Sequence, residues 1–255
     1  MLIKISIINY LNTLPFVYGL RNHPIFKKLD FRYSTPSQSA EDLSLGKTML
    51  GIIPSATIPN FGAENILSNY CIGANEKVAS VLLCSNLPVE EITRVYLDSH
   101  SRTSVLLARI LLKKHWKREV MFSPFIFENE PINKENSYVL IGDKALKHGA
   151  QFKYVYDLAT AWKEFTCKPF VFACWTSRIK MDESFIKEFD EAIGYGVNNI
   201  ERAVKEMEHH FDKEYAIEYL TNNISYQLTP DKREGLSQFW TLAKEELESK
   251  VRWFG

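Results

Sequence analysis

Three segments of the sequence share one pattern: a short apolar strand, a turn of small polar residues, and the start of a helix. They are LIKISII followed by NYLNTLPF (2–16), RVYLD followed by SHSRTSVLLARILL (94–112), and YVLIG followed by DKALKHG (138–149). Strands that alternate with helices in this way are typical of parallel sheets whose faces are covered by helices. The sequence therefore predicts an α/β fold.

The remaining apolar runs indicate how many lobes the chain forms. Further strands are predicted at MLGIIP (49–54), ILSNYCIGA (66–74), KVASVLLCS (77–85), REVMFSP (118–124) and KPFVFACWTSR (168–178). From Asp182 to about Arg252 the apolar positions repeat with a helical period, so this tail is expected to be helical and to add no new sheet. The order is thus two α/β blocks and then helices, which favours two lobes over the alternative of a single doubly wound sheet.

The predicted architecture is the two-lobed, periplasmic-binding-protein-like (type II) fold. Crossings of the chain are expected near 84–89 and 172–177, so that residues 1–86 plus 177–255 form lobe I, which includes the C-terminal helical segment, and residues 87–176 form lobe II. A ligand cleft is expected between the lobes, since small ligands usually bind in clefts between domains.

The charge balance narrows the class of partner. The chain has 31 Lys and Arg against 31 Asp and Glu, and this zero net charge argues against a nucleic-acid-binding protein. Residues 1–180 carry a net charge of +7 and residues 181–255 one of −7, so the first part is the better match for a small anion. No apolar stretch reaches the roughly 18–20 residues of a membrane span, and the start lacks a secretory signal. No membrane association is predicted, and the expected location is cytoplasmic.

Metal and cofactor motifs are absent from the sequence. Cys71, Cys84, Cys167 and Cys174 have no C-x-x-C spacing and no histidine at zinc-ligand spacing, so they are expected to be buried free thiols. The sequence contains no G-x-G-x-x-G, Walker A, G-x-S-x-G or H-E-x-x-H motif. We predict no metal and no cofactor.

Polar residues at the three strand-to-helix turns are the candidate ligand-binding groups. A helix N-terminus offers unpaired N–H groups and a partial positive charge to a carboxylate or phosphate. Asn12 lies in the first turn, and Ser101, Arg102 and Thr103 lie in the second, where the Arg102 guanidinium could grip a carboxylate with two hydrogen bonds. Simple helix capping is the alternative for these residues, and it is the favoured interpretation of Asp143 in the third turn.

The same segments, taken in order, resemble a known family. INYLNTLPFVYGL, GIIPS, KVASVLLCS, LDSHSRTSVLLARILL, YVLIGDKAL and KPFVFACWTSR, between about residues 3 and 178, resemble the chorismate dehydratase family of the futalosine route to menaquinone. The resemblance implies the two-lobed fold. It also implies the removal of water from chorismate, a small dianionic metabolite, to give 3-(1-carboxyvinyloxy)benzoate. It implies no partner beyond this substrate and says nothing of oligomeric state.

The resemblance also suggests roles for individual residues. Asn12 is expected to be catalytic, and the expected substrate-binding residues are Leu11, Thr13, Ser55, Ser80, Ser101, Arg102, Thr103 and Asp143. His100 departs from the small residue expected beside the SRTS turn. Because the motifs contain no convincing base, we hypothesise that the enolpyruvyl carboxylate of the substrate takes the proton from C3.

Two other functions are compatible with the same pattern. One is the 1,4-dihydroxy-6-naphthoate synthase of the same pathway, which shares the fold. The other is a non-catalytic protein that binds a small anion, since a fold alone does not determine a function.

Overall fold

The computed structural model describes residues 2–98, 101–126 and 131–251, and this part of the chain contains eleven strands and nine α-helices. Eight of these strands correspond to the apolar runs found in the sequence. The strands are β1 (Ile3–Ile8), β2 (Leu29–Ser34), β3 (Leu50–Pro54), β4 (Ile66–Ala74), β5 (Val81–Ser85), β6 (Arg94–Asp98), β7 (Met121–Phe125), β8 (Ser137–Ile141), β9 (Tyr154–Asp157), β10 (Phe170–Ser177) and β11 (Ser225–Gln227). The helices are α1 (Leu14–Arg21), α2 (Pro36–Ser44), α3 (Arg102–Ile110), α4 (Gly142–His148), α5 (Leu158–Thr166), α6 (Glu183–Val197), α7 (Ile200–Glu206), α8 (Lys213–Glu218) and α9 (Pro230–Val251).

The chain divides into two compact units, each built from two separate stretches. The first unit comprises Met1–Ala74 and Val171–Thr229, and the second unit comprises Asn75–Phe170 and Pro230–Gly255. Each unit has one sheet of its own, so the α/β class predicted from the sequence holds in both.

The first unit contains a six-stranded sheet in the order β11-β4-β10-β3-β1-β2. Strand β1 runs parallel to β2 and β3, whereas β10 runs antiparallel to β3. The carboxyl ends of β1 and β3 therefore lie at the same edge of the sheet as the amino end of β10. This edge carries the turn that leads from β1 into α1.

The second unit contains a five-stranded sheet in the order β7-β6-β8-β5-β9. Strand β6 is parallel to β7 and β8, and β5 is antiparallel to β8 and β9. One edge of the sheet thus collects the carboxyl ends of four strands and the amino end of β5. Helices α3, α4 and α5 all begin at that edge.

The boundaries of these units differ from those expected for the lobes. We expected residues 1–86 to form part of lobe I, but β5 pairs only with strands of the second sheet. We also expected the C-terminal helices to cover lobe I, but α9 belongs to the second unit. There Phe239 of α9 packs edge-on against Trp162 and Phe170, with ring centroids 6.1 and 5.0 Å apart.

Three strands were not predicted. The tail expected to be wholly helical contains β11, which pairs antiparallel with β4 at the end of the first sheet. Strands β2 and β9 were also missed, and each lies at the edge of its sheet. Only Leu29 of β2 and no residue of β9 is buried, so these segments lack the continuous apolar run by which the buried strands are identified.

Within the described ranges, no helix combines the length and the apolar character needed to cross a bilayer.

Candidate functional site

The polar residues of the second unit meet at the sheet edge where its helices begin. Val81 pairs with Ile141 across β5 and β8, and Leu97 pairs with Val139 across β6 and β8. The residues that follow or precede these strand ends are therefore close in space. They are Ser80 before β5, Ser101–Thr103 after β6, and Asp143 after β8.

Ser80 is held in place by backbone contacts on both sides. Its carbonyl oxygen accepts a hydrogen bond from the Gly142 amide at 2.7 Å, and the residue is buried. Ala79, just before it, has a φ of +61°, in the left-handed region that costs a residue with a Cβ about 1 kcal/mol. The Asp157 carboxylate accepts a hydrogen bond from the Ala79 amide at 2.7 Å. The structure thus presents Ser80 from a strained but well-restrained turn.

The SRTS segment begins helix α3 with three buried residues and one exposed one. Ser101 is the N-cap, and its Oγ accepts a hydrogen bond from the Ser104 amide at 3.2 Å. Ser101 and Thr103 are buried, whereas Arg102 is exposed. The capping interpretation of Ser101 is confirmed. The helix N-terminus and the exposed guanidinium beside it remain together as groups that can bind an anion.

Arg102 lines a pocket of about 310 Å³ between α3 and the sheet edge. The pocket is lined by Leu97, Asp98, Ser101, Arg102, Val105, Arg109, Phe122, Ser123 and Pro124. Arg109 lies two helical turns after Arg102, and its guanidinium carbon is 4.2 Å from the centroid of the Phe122 ring. Burial lowers the pKa of Arg109, and the charge of Glu246 opposes that shift. Two arginine residues therefore line one pocket. Sequence reasoning missed the role of Arg109, although the i, i+7 spacing of the two arginines could have indicated it.

The carboxylates at this edge already have partners. Asp98 forms a salt bridge with Lys144 at 3.3 Å, with only 4% and 18% of the two side chains exposed. Asp157 accepts hydrogen bonds from backbone amides of two segments. Asp143 lies half-buried in the first turn of α4. Ser99 and His100 lie outside the described residues.

In the first unit, the predicted catalytic residue lies in a short 3-10 turn between β1 and α1. This turn comprises Leu11, Asn12 and Thr13, of which the first and last are buried. The Thr13 hydroxyl donates to the carbonyl oxygens of Ile8 and Tyr10, at 2.6 and 2.8 Å. The buried Leu11 and Thr13 therefore anchor the turn in the interior, whereas Asn12 between them is half-exposed.

Tyr226 of β11 also restrains this turn. Its hydroxyl donates to the Asn12 carbonyl oxygen at 3.0 Å, and its ring packs edge-on against Phe16 at 5.2 Å. Among the described residues, no side chain is hydrogen-bonded to the Asn12 carboxamide. The backbone of Asn12 is thus restrained while its amide group is available to a ligand. Sequence reasoning missed Tyr226 because it missed β11.

Ser55 and Trp175 both have structural contacts in the first unit. Ser55 is fully buried, and its hydroxyl lies 2.5 and 3.1 Å from the carbonyl oxygens of Val171 and Phe172 on β10. Trp175 is also fully buried and packs against the Phe16 and Phe189 rings. These contacts tie β10 to its neighbours.

Potential metal ligands are dispersed: among the described residues, no three His, Cys, Asp or Glu side chains lie close enough together to bind a metal ion.

Comparison with known proteins decides the family. A family model described as menaquinone biosynthesis matches residues 3–245, nearly the whole chain. The chain belongs to this menaquinone biosynthesis family.

Two curated relatives of this family member carry a named activity. A chorismate dehydratase of Campylobacter jejuni is 31% identical over 172 residues, which cover 65% of this chain and 63% of that protein. A chorismate dehydratase of Thermus thermophilus is 26% identical over 197 residues, which cover 64% of this chain and 70% of the relative. The first of these alignments thus spans less than two thirds of the relative's length.

Solved structures confirm the fold class of this menaquinone biosynthesis family member. A protein of Archaeoglobus fulgidus has a TM-score of 0.75 at 11% identity, covering 96% of this chain and 97% of its own. The periplasmic aliphatic sulphonate binding protein of Escherichia coli has a TM-score of 0.62 at 15% identity, covering 98% and 92%. At such low identity these similarities show the fold alone, which is the predicted periplasmic-binding-protein-like one.

Proposed function

We propose that the protein is a chorismate dehydratase, which removes water from chorismate to give 3-(1-carboxyvinyloxy)benzoate. The observation that carries the proposal is the similarity to two curated chorismate dehydratases. The match of residues 3–245 to the menaquinone biosynthesis family supports it. The reaction belongs to the carbon–oxygen lyases, and it needs no redox partner because loss of water involves no net oxidation or reduction. Aromatisation of the ring drives the loss of water.

The second unit offers groups suited to the two carboxylates of chorismate. In our proposal the N-terminus of α3 and the Arg102 guanidinium bind one carboxylate, and the buried Ser101 and Thr103 shape that helix start. Ser80 contacts the substrate from the neighbouring turn. Charge-assisted hydrogen bonds to a guanidinium are roughly twice as strong as neutral ones, which suits a site that must select a dianion.

The proposed mechanism uses the substrate as its own base. The C3–H bond breaks as the enolpyruvyl carboxylate takes the proton, and its electron pair forms the last double bond of the aromatic ring. The C4–O bond breaks, and the hydroxyl leaves as water with the proton that the enolpyruvyl carboxylate has taken from C3, which restores the carboxylate. Asn12 orients the carboxylate or donates to the leaving oxygen through its amide group. Effective molarities of about 10⁵–10⁸ M are reached by well-oriented intramolecular reactions, so positioning can account for much of the rate.

The salt-bridge and hydrogen-bond partners of the nearby carboxylates support the assignment of the substrate as its own base. Asp98 is neutralised by Lys144, and Asp157 is enclosed by backbone amides, so neither is placed to accept a proton from substrate. In our proposal Ser55, Leu11 and Thr13 support the site through β10 and the turn after β1 and do not touch the substrate. Asp143, half-buried in the first turn of α4, is the rival base to be tested.

The test is to incubate the protein with chorismate and to follow the product by mass spectrometry. We expect a product lighter than chorismate by one water. Conversion of cyclic dehypoxanthine futalosine instead would favour the naphthoate synthase, and tight binding of chorismate without product would favour the anion-binding protein.

Substitution of Asn12 and of Asp143 then tests the mechanism. We expect Asn12→Ala to lower kcat about 10²-fold with little change in KM, the effect of removing one preorganised hydrogen-bond donor. Asp143→Asn should retain most of the turnover and the acidic limb of the pH–rate profile. Loss of that limb in Asp143→Asn would instead identify Asp143 as the base.

Substitution of Arg102 tests the binding assignment. Arg102→Ala should raise KM for chorismate at least about tenfold, since a hydrogen bond to a charged group contributes about 1.5–3 kcal/mol. Arg109→Ala, in the same pocket but two turns further along α3, is the matched comparison. An unchanged KM in Arg102→Ala would show that this guanidinium faces solvent during catalysis.

A further inference from the structure

The Asp157 carboxylate binds two separate segments of the second unit. Its Oδ1 accepts hydrogen bonds from the amides of Ala159 and Thr160 at 3.0 and 3.1 Å, as expected of an N-cap of α5. Its Oδ2 accepts from the Ala79 amide at 2.7 Å, and the Val78 amide lies 3.2 and 3.1 Å from the two oxygens. Capping explains the first pair of hydrogen bonds only.

The second pair restrains a turn that would not hold its shape unaided. Ala79 has a φ of +61°, a conformation that residues with a Cβ rarely adopt and that glycine adopts freely. Such strain persists only where the surroundings fix the backbone. The next residue is Ser80, whose carbonyl oxygen must meet the Gly142 amide at 2.7 Å. Relaxation of the Ala79 φ would turn Ser80 away from the sheet edge.

We propose that Asp157 is a positioning residue, whose carboxylate clamps Val78 and Ala79 so that Ser80 is presented to the substrate at the sheet edge. This inference rests on the proposed function, in which Ser80 contacts chorismate. Both oxygens of Asp157 accept hydrogen bonds from backbone amides, and among the described residues neither is hydrogen-bonded to an acceptor, so the ionised form is the one that fits. Burial raises the pKa of this carboxyl group, and the four N–H donors oppose that shift.

Replacement of one oxygen separates the clamp from the cap. In Asp157→Asn, the amide oxygen can still cap α5, but the NH₂ group replaces Oδ2 and cannot accept from Val78 and Ala79. The double variant Asp157→Asn with Ala79→Gly relieves the strain that the clamp normally opposes. Asp212→Asn is the matched control, because Asp212 caps α8 through the Tyr215 amide at 3.0 Å and its carboxylate holds no second segment within the described part of the chain.

Steady-state kinetics with chorismate then tests the inference. We expect Asp157→Asn to lower kcat/KM about tenfold, chiefly through KM, since small displacements of a binding group have effects of this order. The added Ala79→Gly should restore most of the loss, and Asp212→Asn should stay within twofold of the wild type. A cap-only role would give no rescue by Ala79→Gly, and that result, or wild-type kinetics in Asp157→Asn, would overturn the proposal.

Hydrogen exchange provides a second readout that needs no turnover. We expect the amides of Val78, Ala79 and Ser80 to exchange about tenfold faster in Asp157→Asn, while those of α5 change little. If Asp157→Asn does not fold, Asp157→Ser serves instead, since a hydroxyl caps a helix but cannot reach two segments. Should the wild type convert no chorismate, the proposed function fails, and exchange still decides the clamp: unchanged protection at Val78–Ser80 overturns it.

Discussion

The buried hydroxyl of Tyr226 restrains the backbone of Asn12, a residue that lies far from it in the sequence. It lies 214 residues beyond Asn12 and holds the Asn12 carbonyl oxygen from β11. The types and spacing of YLNT and SRTS indicated which turns carry the polar groups. They could not indicate Tyr226 or Asp157, because those contacts depend on which distant strand lies beside each turn.

Tyr226→Phe removes one hydroxyl and keeps the ring in its apolar surroundings. We expect kcat to fall about tenfold with KM nearly unchanged, because the Asn12 backbone loses its restraint. Loss of the hydrogen bond should also lower the free energy of unfolding by about 1 kcal/mol at pH 8. Tyr33→Phe, at an exposed tyrosine, is the control for kcat, and equal kcat in both variants would contradict the role given to Tyr226.

The same hydroxyl makes stability depend on pH in the alkaline range. Burial raises the pKa of Tyr226 well above 10, so the native state keeps its proton where the unfolded state loses it. The stability contributed by this group is complete below about pH 10 and is lost as the pH rises through the folded-state pKa. Urea unfolding at pH 8 and pH 11 should show a smaller decline for Tyr226→Phe than for the wild type.

Thiol reactivity should follow burial at single residues. Cys71, Cys84 and Cys174 are buried, as expected from the sequence, but Cys167 is exposed at the end of α5. Burial raises the pKa of Cys84 to about 12, so almost none of it is thiolate at neutral pH. A thiol reagent should add one label to the native protein and none to Cys167→Ser. A second label on the folded protein would show that another thiol is accessible.

At the scale of elements, the sequence was a good guide to the inner strands and to the edge strand β7, but it missed the other three edge strands of the two described sheets. Strands β4 and β6 match their predicted bounds, and Phe185, Phe189 and Ile193 face the core from α6 as their period predicted. Strands β2, β9 and β11 were missed. Their residues acquire strand structure from a neighbour's hydrogen bonds and not from their own apolar pattern.

The contact between α1 and α6 depends on two glycines. A Cβ on Gly196 would overlap the Pro15 carbonyl oxygen, and one on Gly19 would overlap the Ala192 carbonyl oxygen. We expect Gly196→Ala to lower the free energy of unfolding by about 3 kcal/mol, because backbone atoms cannot yield as a flexible side chain would. Lys187→Ala, at an exposed position on the same helix, should be neutral. Chemical denaturation measures both, and equal stability would mean that the helices can separate without loss.

At the scale of the whole molecule, the order of the segments along the chain was predictable from the sequence, but the unit to which each segment belongs was not. Residues 1–180 carry a net charge of +7 and residues 181–255 one of −7, a division of charge along the sequence. In the structure the division is smaller, since the first unit has 12 Lys and Arg against 15 Asp and Glu, and the second unit has 19 against 16. The division shrinks because residues 181–229, with a net charge of −7, share the first unit with residues 1–74 and 171–180, which together carry +4, whereas residues 230–255, which return to the second unit, have no net charge. Helix α9 is held in the second unit by the packing of Phe239 against Trp162 and Phe170 and by the Lys113–Glu246 salt bridge, and no local pattern encodes these contacts.

Phe239→Ala tests where the last helix belongs. Removal of a buried Phe costs about 3–5 kcal/mol, and we expect that loss in the second unit. Hydrogen exchange should therefore rise in β8, α5 and α9, while the first unit, including α8, the helix that precedes α9 in the sequence, keeps its protection. Faster exchange confined to α6–α8 would instead place α9 with the first unit.

The return of α9 has a consequence for how the protein folds as it is synthesised. A ribosome that has released residues 75–170 has made all but the last helix of the second unit, and it must still make 59 residues of the first unit before α9 begins. At roughly 5–20 residues per second this leaves Trp162 and Phe170 without their aromatic partner for several seconds. Nascent chains in that interval should be the form most in need of a chaperone, and a stalled chain would be bound through this unfilled aromatic surface.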